Sequence, residues 1–363
     1  MKKVILLSLL ILVSLSPILA QTIHVANNNP GATSGTNVFT GSTALQDAID
    51  AATSGDIIHV IPSPTDYGDV TISDKSLSLV GIGLNPSTDL GIRSEVDEIT
   101  VNYTGANGSS FSGLHLRSLL LAQGTAPTHT LSNILVENCE MARIIAPVST
   151  SNSVGNLIVR NSIFNSSNST GDGQAFELGT TSGVIISNNI IRGACCVHGA
   201  IEGDNLTIQN NLFFDNSSSG LAFMQNSNCV IQNNIFLNTT PGIGAGSGNS
   251  FLNNISYNTS DDVFGVGSNG NTGSGNIEAM DPTLTNLPLT GADNAWNYSY
   301  DITPLAGSPV LDAGSDGTDI GPTGGANPFD AEGTFLPLIE SLTVPAIVTQ
   351  GTDLNVNIKA KGN

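Results

Sequence analysis

Apolar and polar residues alternate in short runs along the middle of the chain, and these runs recur at nearly constant spacing. The stretch NLTIQNNLFFDN from Asn205 is repeated as NCVIQNNIFLNT from Asn228. In the first copy, Leu206, Ile208 and Leu212 are separated by polar residues. A period of two in β-branched runs, punctuated by Asn, Gly and Ser, predicts short strands joined by turns and argues against helices.

The repeat becomes clear when the chain is aligned on the Asn that precedes the next apolar pair. The aligned residues, separated by 23, 27, 22, 23 and 20 positions, are Asn138, Asn161, Asn188, Asn210, Asn233 and Asn253. Ankyrin and tetratricopeptide repeats are longer, at about 33 residues, and the signature of leucine-rich repeats is missing. We therefore predict coils of about 22 residues with two or three strands each, stacked into parallel sheets as a β-solenoid.

The aligned Asn residues have an expected structural role. At a turn, Asn tolerates left-handed backbone geometry, and its amide can hydrogen-bond to the same amide one coil away. We expect the six residues to form such a ladder along the solenoid axis. The repeat is therefore interpreted as structural, and its Asn residues are not favoured as catalytic groups.

The two ends of a solenoid expose strand edges, and the sequence offers a cover for each. Thr43 precedes Gln46 by three residues, which predicts a capping box at the start of a helix over about 43–53, with Leu45, Ala48 and Ile49 on one face. The coils are expected over about 56–280, followed by a closing segment over about 281–335. Residues 336–363 are predicted to form strands that cover the last coil.

The first twenty residues, MKKVILLSLLILVSLSPILA, have the pattern of a secretory signal. Lys2 and Lys3 precede an apolar run, and Ala20 is a small residue at the expected cleavage point. A membrane anchor is the alternative, but the run is short and contains Ser and Pro. We expect cleavage after Ala20, a secreted or cell-surface protein, and no membrane span in the mature chain.

The charge balance excludes one class of partner. The 363 residues carry a formal net charge of −20 with only 10 Lys and Arg, and no Lys lies between Lys75 and Lys359. Nucleic acid binding requires a basic surface, so nucleic acid is not expected as a partner. Such acidity favours solubility and the binding of cations.

The four cysteines do not form the pattern of a disulfide framework. Cys195 and Cys196 are adjacent, while Cys139 and Cys229 are isolated in sequence. The vicinal pair could bind a soft metal, but no CxxC motif or His cluster supports this. We expect packed, unreactive thiols.

Several segments resemble one known family. They are LQDAIDAATSGDIIHV, VTISDKSLSLVGIG, the repeats between Asn133 and Asn258, MDPTLTN and ITPLAGSPVLDAGSDGTDIGPTGG. Over roughly residues 22–330 the chain resembles the secreted right-handed parallel β-helix, or pectin-lyase-like, proteins. The resemblance implies an all-β, single-stranded right-handed parallel β-helix with an N-terminal capping helix and a short C-terminal β extension. The family includes lyases, hydrolases, isomerases and non-enzymes, so it does not fix an activity.

The galacturonan hydrolases of that family use an Asp trio, a His-Gly pair and an Arg-x-Lys motif, in that order. Here Asp261 and Asp262 follow His198 and Gly199, and no Arg-x-Lys occurs. The hydrolase interpretation therefore fails.

A polysaccharide lyase of the family would need a cation or Arg to neutralise a uronate carboxylate and a base to remove the α-proton. With no Lys in the coils after Lys75, Arg192 and His198 are the candidate catalytic residues, and Arg143 and Arg160 the candidate substrate-binding residues.

Three other basic residues lie in or near the early coils. Arg93 and Arg117 are further cationic candidates. His115 alternates with Leu residues in GLHLRS and is expected to be a surface residue.

Two acidic residues are predicted to lie on adjacent coils. Aligning the segments AFEL and AIEG places Phe176 and Ile201 inward, and Glu177 and Glu202 outward. Neighbouring carboxylates repel, so they either bind a hard cation such as Ca²⁺ or raise the pKa of one carboxyl. The alternative is that both are solvated, with a nearby Arg192 or His198 pairing one of them.

Two functions follow from these patterns. The first is an exported solenoid that binds carbohydrate or serves as a surface or adhesion scaffold. The alternative is a polysaccharide lyase acting by β-elimination on an acidic polysaccharide. The scarcity of Lys, the lack of a complete catalytic set and the 5% aromatic content favour the first, whereas analogy with the family favours the second.

Overall fold

The computed structural model describes residues 21–84, 92–123, 130–146, 152–165, 174–179, 181–192, 200–214, 220–223, 226–243, 246–261, 264–288, 296–331, 336, 338–343 and 356–361. The expected signal sequence, residues 1–20, lies outside these ranges, as do Cys195, Cys196 and His198. Within the described ranges no helix has the length and apolar character needed to cross a membrane.

In the described ranges the chain forms one α-helix, one short 3₁₀ turn at Thr104–Ala106 and many short strands. In chain order the elements are β1 (Ile23–Asn27), β2 (Val38–Thr40), α1 (Ala44–Ala51), β3 (Ile57–Val60), β4 (Val70–Ser73), β5 (Ser78–Val80), β6 (Glu95–Asn102), β7 (Ser110–Ser112), β8 (His115–Leu121), β9 (Thr130–Ser132), β10 (Leu135–Glu137), β11 (Glu140–Ala146), β12 (Ser153–Gly155), β13 (Ile158–Arg160), β14 (Ile163–Asn165), β15 (Phe176–Leu178), β16 (Thr181–Ser182), β17 (Val184–Ser187), β18 (Ile190–Arg192), β19 (Ile201–Glu202), β20 (Leu206–Gln209), β21 (Leu212–Phe214), β22 (Gly220–Phe223), β23 (Val230–Gln232), β24 (Ile235–Leu237), β25 (Thr239–Ile243), β26 (Ser250–Leu252), β27 (Ile255–Tyr257), β28 (Thr272–Ser274), β29 (Leu284–Asn286), β30 (Asp301–Pro304), β31 (Leu338–Thr343) and β32 (Asn357–Lys361).

Three parallel sheets are formed by the described coils, and the prediction of an all-β parallel solenoid is confirmed. The first sheet has the order β2-β1-β3-β5-β7-β10-β13-β17-β20-β23-β26-β28. The third is short, β9-β12-β16. Strands pair with the equivalent strand of the next coil, because each coil repeats the same sequence of strands and turns.

The second sheet divides into two branches. Its first strands, β4, β6, β8 and β11, follow one another coil by coil. The start of β11 then pairs with β14, which leads to β18, β21, β24 and β27, while its end pairs with β15, which leads to β19, β22 and β25. We call these the first and second branches. β11 is seven residues long, so it is long enough to serve both.

The interior is filled by inward columns from these sheets. In the first branch, Phe213 stacks on Phe236 with ring centres 4.8 Å apart. In the second branch, Phe176 pairs with Ile201, and Ile201 with Phe223, all fully buried. The predicted inward positions of this branch are thus confirmed. In the first sheet, the fully buried column includes Val136, Val159, Ile186, Ile208, Ile231 and Phe251.

Each repeat has a turn Asn as its first member and the following residue as its second member. The second member is also Asn in the four repeats from Asn188 to Asn253, but it is Cys139 and Ser162 in the first two. The two members are used differently. The first members, beginning with Asn138 and ending with Asn253, all have positive φ between 50° and 56°. Their backbone N–H groups donate to the next coil, as Asn210 does to Gln232 O. The amide ladder predicted for these residues is formed instead by the second members. Their side-chain N–H₂ groups each donate to the side-chain oxygen of the next coil's Asn, in the series Asn189, Asn211, Asn234, Asn254 and Asn276.

The prediction of which Asn forms the ladder was wrong by one residue, for a geometric reason. A left-handed turn residue directs the chain around the corner, and the residue after it points back into the solenoid. Inside, the amide of Asn211 also donates to Ile186 O, and its oxygen accepts from the Asn189 N–H. A buried amide needs several partners, and at the second position the neighbouring coils provide them.

Five of the first members, those other than Asn161, are seen to bind the closing segment, defined here as the described residues of 281–331. The segment returns along the solenoid, because its contacts follow in reverse coil order. Gly321 has φ +98°, and a Cβ there would overlap Ile235, so this close approach requires glycine. The contacts join Asn253 to Ala313, Asn233 to Ser315, Asn210 to Asp319 and Gly321, Asn188 to Pro322 and Gly324, and Asn138 to Asp330.

A second hydrophobic core lies outside the solenoid, beneath the closing segment. In the sequence, Leu212 follows the same alternation as Leu206 and Ile208, but in the structure Leu212 faces outward, into the second core. The strands of the first branch are apolar on both faces, so both faces must be covered. The closing segment packs there with Leu287, Trp296, Val310 and Ile320. The outward column beneath it, each residue at most 2% exposed, consists of Ile163, Ile190, Leu212, Ile235 and Ile255.

The N-terminal helix covers the start of the solenoid. α1 buries Ala44, Leu45, Ala48 and Ile49, and it contacts strands β1 to β4. The prediction of a capping box was wrong, because the Thr43 side chain makes no cap hydrogen bond and instead donates to the Asp47 carboxylate.

Two side chains near this helix bind other backbone groups. The Gln46 side chain accepts from the N–H of Thr71 and donates to its carbonyl, so it binds both backbone groups of one residue on the edge strand β4. At the other end, Lys75 donates to the carbonyls of Ile49, Asp50 and Ala52.

The C-terminal tail forms a two-stranded antiparallel sheet. β31 pairs with β32, with Leu338 opposite Lys361 and Thr343 opposite Asn357. Strands in this region are as expected, and their proposed role as a cover for the last coil stays a prediction.

Candidate functional site

The outward column of the second sheet changes character along the solenoid. From β6 to β11 it holds Glu95, His115 and Glu140, which pair in register. From β14 onward the same column is aliphatic, beginning with Ile163 opposite Glu140. The closing segment ends its return near this change, since Asp330 contacts Asn138. An open pocket of about 210 Å³ lies beside the charged part of the column.

Glu140 is at the centre of the polar cluster. Its Oε2 accepts a hydrogen bond from the Tyr298 hydroxyl at 2.6 Å and lies 3.2 Å from both Arg93 Nη1 and His115 Nδ1. Its Oε1 accepts from Asn165 Nδ2 at 2.6 Å. The donors come from β8, β14, a residue shortly before β6 and the closing segment. Both oxygens are thus fixed by elements that are far apart in sequence.

The protonation states of this cluster follow from its contacts. Burial alone would raise the pKa of Glu140, but the hydrogen bond and charge of His115, the Tyr298 hydroxyl and the Arg93 charge outweigh it and lower the pKa to about 2. Burial and the nearby carboxylate raise the pKa of Tyr298 far above its ordinary value. At neutral pH, Glu140 is therefore ionised and Tyr298 protonated.

His115 is not the surface residue that its alternation with Leu suggested. Its side chain is 5% exposed, Nδ1 faces Glu140 and Nε2 lies 3.3 Å from Gly83 O. It does point away from the solenoid interior, but the chain at Gly83 covers it. Alternation predicts which face a residue takes, and a cover from a distant segment decides whether that face meets water.

Aromatic residues of the closing segment border the cluster. Trp296 is the single Trp of the chain, and its backbone N–H donates to Asn165 Oδ1 at 2.9 Å. The Trp296 and Tyr300 rings meet edge to face, with centres 5.3 Å apart. The Arg93 guanidinium lies over the Tyr298 ring at 5.9 Å. The second core thus ends in an aromatic group next to the charged column.

Two guanidinium groups line the pocket and face water. The Arg93 and Arg117 side chains are 41% and 42% exposed, and Glu95, Glu140 and Asn165 share the pocket wall. In a chain of net charge −20, this pocket combines cations, carboxylates and an amide within a small volume.

Arg117 is held in place by acidic residues of the preceding coil. Its Nε and Nη2 donate to the carboxylate of Asp97, and Nη2 lies 3.6 Å from Glu98. The hydrogen bond to Arg117 lowers the pKa of Asp97. These pairs orient the guanidinium while leaving part of it open to the pocket.

The candidate residues of the lyase hypothesis lie apart from this pocket. Arg192 is in the first branch, 3% exposed and 5.2 Å from the Phe214 ring centre. His198 lies outside the described residues. Arg143 Nε donates to a Ser hydroxyl of β8 in the second sheet, and Arg160 binds a Glu of β10 in the first sheet. The predicted residues are not brought together within the described part of the chain.

Glu177 and Glu202 lie opposite each other on adjacent strands of the second branch. The Gln174 side chain donates to Glu202 Oε2 at 2.7 Å. Across the described residues, no group of three or more His, Cys, Asp or Glu side chains has the arrangement of a metal site. A Ca²⁺ ion here would therefore need amide or water oxygens to complete its ligands.

The two described cysteines are buried and free. Burial raises the pKa of Cys139 to about 12 and that of Cys229 to about 11. Both thiols are protonated at neutral pH and poor nucleophiles, as expected for packed cysteines.

One sequence signal for the cluster was missed. When the repeats are aligned, the residue two positions after the turn Asn is Ile163, Ile190 or an equivalent aliphatic residue, but in the first repeat it is Glu140. A carboxylate in an otherwise aliphatic column marks the change of environment. No local pattern indicates Tyr298, because it reaches Glu140 from 158 residues away.

Comparisons with known proteins add a remote likeness. No family model matches the chain, and no curated protein matches it. Among solved structures, the chain is similar to the crystal structure of the Dettilon tailspike protein (gp208), with 11% sequence identity and a TM-score of 0.34. The match covers 71% of this chain and 68% of the tailspike chain. A likeness this remote carries no functional argument.

Proposed function

We propose that this protein is an exported β-solenoid that binds carbohydrate outside the cell through the pocket between Arg93 and Arg117, and that it does not cleave its ligand. The N-terminal secretory pattern supports export. A stiff solenoid that carries a polar pocket on its side suits a surface protein that presents a binding site.

The lining of the pocket supports a carbohydrate ligand. Arg93, Arg117 and Asn165 offer N–H donors, while Glu95 and Glu140 offer acceptors. Sugar hydroxyls donate and accept hydrogen bonds, so they are matched by a wall that contains both kinds of group. The apolar part of the lining comes from Leu116, Met141 and Ala142, against which the C–H groups of a sugar can pack.

The observation that carries the proposal of binding without cleavage is the state of the Glu140 cluster. A general acid or base needs a pKa near the working pH and access to the substrate. The lowered pKa of Glu140 and the raised pKa of Tyr298 keep both groups in fixed protonation states. His115 is buried and has a polar neighbour at each ring nitrogen. The Glu140 carboxylate and the Tyr298 hydroxyl thus orient Arg93 and are unsuited to proton transfer at neutral pH.

A binding and turnover assay on one set of polysaccharides tests this proposal. Purified protein is titrated with neutral glycans, alginate, pectate and glycosaminoglycans by calorimetry, while absorbance is followed for the unsaturated product of β-elimination. We expect binding of at least one polymer without product. Arg93→Gln should weaken binding at least about tenfold, because charge-assisted hydrogen bonds contribute about 1.5–3 kcal/mol.

Arg160→Gln is the matched control. Arg160 is also a partly exposed, ion-paired Arg, but it lies on the first sheet with Glu137. Equal loss of binding in both variants would place the site elsewhere. Formation of unsaturated product would reject the non-catalytic proposal and favour the lyase.

A further inference from the structure

The first sheet presents two outward columns of side chains along its length. One runs from Ile23 to Thr272 and the other from Val25 to Ser274, with one residue of each on every strand except the edge strand β2. The residues between them, from Ile58 on β3 to Phe251 on β26, point into the core and are fully buried. The closing segment covers the first branch of the second sheet, so these two columns form a separate outer face, which we call the open face.

The open face is electrically neutral in a strongly acidic protein. The column that begins at Ile23 contains no charged residue. The other contains one acid and one base, Glu137 and Arg160, which bind each other at 2.7 Å. The whole chain, by contrast, has a net charge of −20. Desolvation lowers the pKa of His59, which lies in the second column, and this favours its neutral form.

The uncharged column of the open face also places aliphatic side chains in contact with water. Ile158 and Val230, near the middle of the uncharged column, are 36% and 37% exposed. Ile57, Leu135 and Ile185 lie in the same column, and the other positions between them hold Ser or Thr. The columns contain no Phe, Tyr or Trp, and sugar-binding surfaces usually use such rings.

The size of this face suits a weak contact between two molecules. Eleven of the twelve strands of the sheet carry the two columns. At about 4.8 Å between strands and about 10 Å of strand each, the face measures roughly 500 Å². Two such faces in contact would bury about 1,000 Å², which is less than stable interfaces bury and suits a weak, reversible contact.

From these observations we infer that the open face is an interface at which one copy of this chain binds a second copy. A partner whose surface is likewise neutral overall and partly aliphatic fits this face, and a second copy of the chain supplies one. Contact through this face keeps the acidic remainder of each molecule apart, whereas contact through other surfaces would bring like charges together. The opposed columns would bury Ile and Val at the centre and Ser, Thr and Gln around them.

Sedimentation velocity of the purified chain tests this inference over roughly a hundredfold range of concentration. We expect reversible association that becomes stronger as salt is raised, because salt screens the repulsion between acidic molecules. The double variant Ile158→Lys, Val230→Lys places charges in the centre of the face. It should weaken association at least about tenfold while leaving the melting temperature nearly unchanged, since both side chains point outward.

Met280→Lys is the control, because Met280 is an exposed apolar residue, at 48%, outside the open face. It should associate like the wild type. A wild type that is monomeric at every concentration would overturn the inference, as would association that the double variant leaves unchanged. Hydrogen exchange that shows a glycan protecting the first sheet of a monomeric protein would assign the face to carbohydrate instead.

Discussion

The first sheet and the first branch of the second sheet are built from the same coils, yet their outward faces have different surroundings. In the first sheet, the outward residue Ile158 is 36% exposed. Five residues later in the same coil, Ile163 points outward from the first branch and is fully buried in the second core. The turn at Asn161, with φ of 51°, separates the two. One corner of a coil therefore divides an open aliphatic surface from a covered one.

The difference lies in how often an aliphatic residue recurs in each column. In the first branch, every coil from Ile163 to Ile255 places Ile or Leu at the outward position. In the open face, Ser and Thr interrupt the aliphatic residues. A continuous aliphatic column needs a cover within the chain, whereas an interrupted one can remain in contact with water or a partner.

The largest expected effect compares the same substitution on the two faces. Ile190→Ala removes a fully buried side chain from the second core and should lower the free energy of unfolding by about 3 kcal/mol. Ile158→Ala, on the open face, should change it by less than about 0.5 kcal/mol when measured in dilute protein. Denaturant unfolding monitored by circular dichroism measures both. Equal effects would mean that the closing segment does not cover the first branch.

The next effect separates the two members of one Asn pair. Asn188→Ala leaves the carbonyls of Pro322 and Gly324 without their side-chain donor and should cost about 2 kcal/mol. Its hydrogen-exchange signature should be faster exchange in the closing segment. Asn189→Ala breaks the inward ladder to Asn211 and should speed exchange in the coils themselves. Identical exchange patterns in the two variants would contradict the separate roles assigned to the pair.

A smaller effect should appear at acidic pH and concerns Glu140, in the charged part of the outward column of the second sheet. The pKa of Glu140 is lowered to about 2, so its carboxylate stabilises the fold above the ordinary value of about 4.3, and this contribution is lost as pH falls toward 2. Glu140→Gln should therefore be less stable than the wild type at pH 7, by about 1–2 kcal/mol, with the gap closing in acid. Denaturant unfolding across this pH range measures the gap. Glu95→Gln, an exposed neighbour in the same column, is the control, and a gap that stays constant with pH would contradict the mechanism.

The smallest effect concerns the carboxylate pair on the second branch. The hypothesis is that Glu177 and Glu202 bind a hard cation such as Ca²⁺ weakly, with Asn, Asp or water oxygens completing the ligands. Millimolar Ca²⁺ should stabilise the wild type by on the order of 0.5 kcal/mol, and the melting temperature should rise accordingly. The Glu177→Gln, Glu202→Gln double variant should lose this response. An unchanged response in the double variant would remove the site.

The candidate site was only partly accessible to sequence reasoning. Arg93 and Arg117 were identified as cations available to a ligand, because so few bases occur in the coils. Glu140 was missed although its column is aliphatic in every later repeat. The Tyr298 and Trp296 contacts could not be predicted, since no repeat constrains where a returning segment meets the solenoid.

The sequence by itself determined the coil. A period near 22 residues, alternation within each run and an Asn at each corner are local properties, and stacking of similar units follows from them. Only the tertiary structure decided which Asn of each pair turns inward and which outward column is covered. It also decided where the closing segment meets the charged residues around Glu140. Those outcomes depend on the closing segment, which returns along the coils and contacts Asn138 from 192 residues away. Local patterns encode the direction of a side chain, and its partner is chosen by the path of the whole chain.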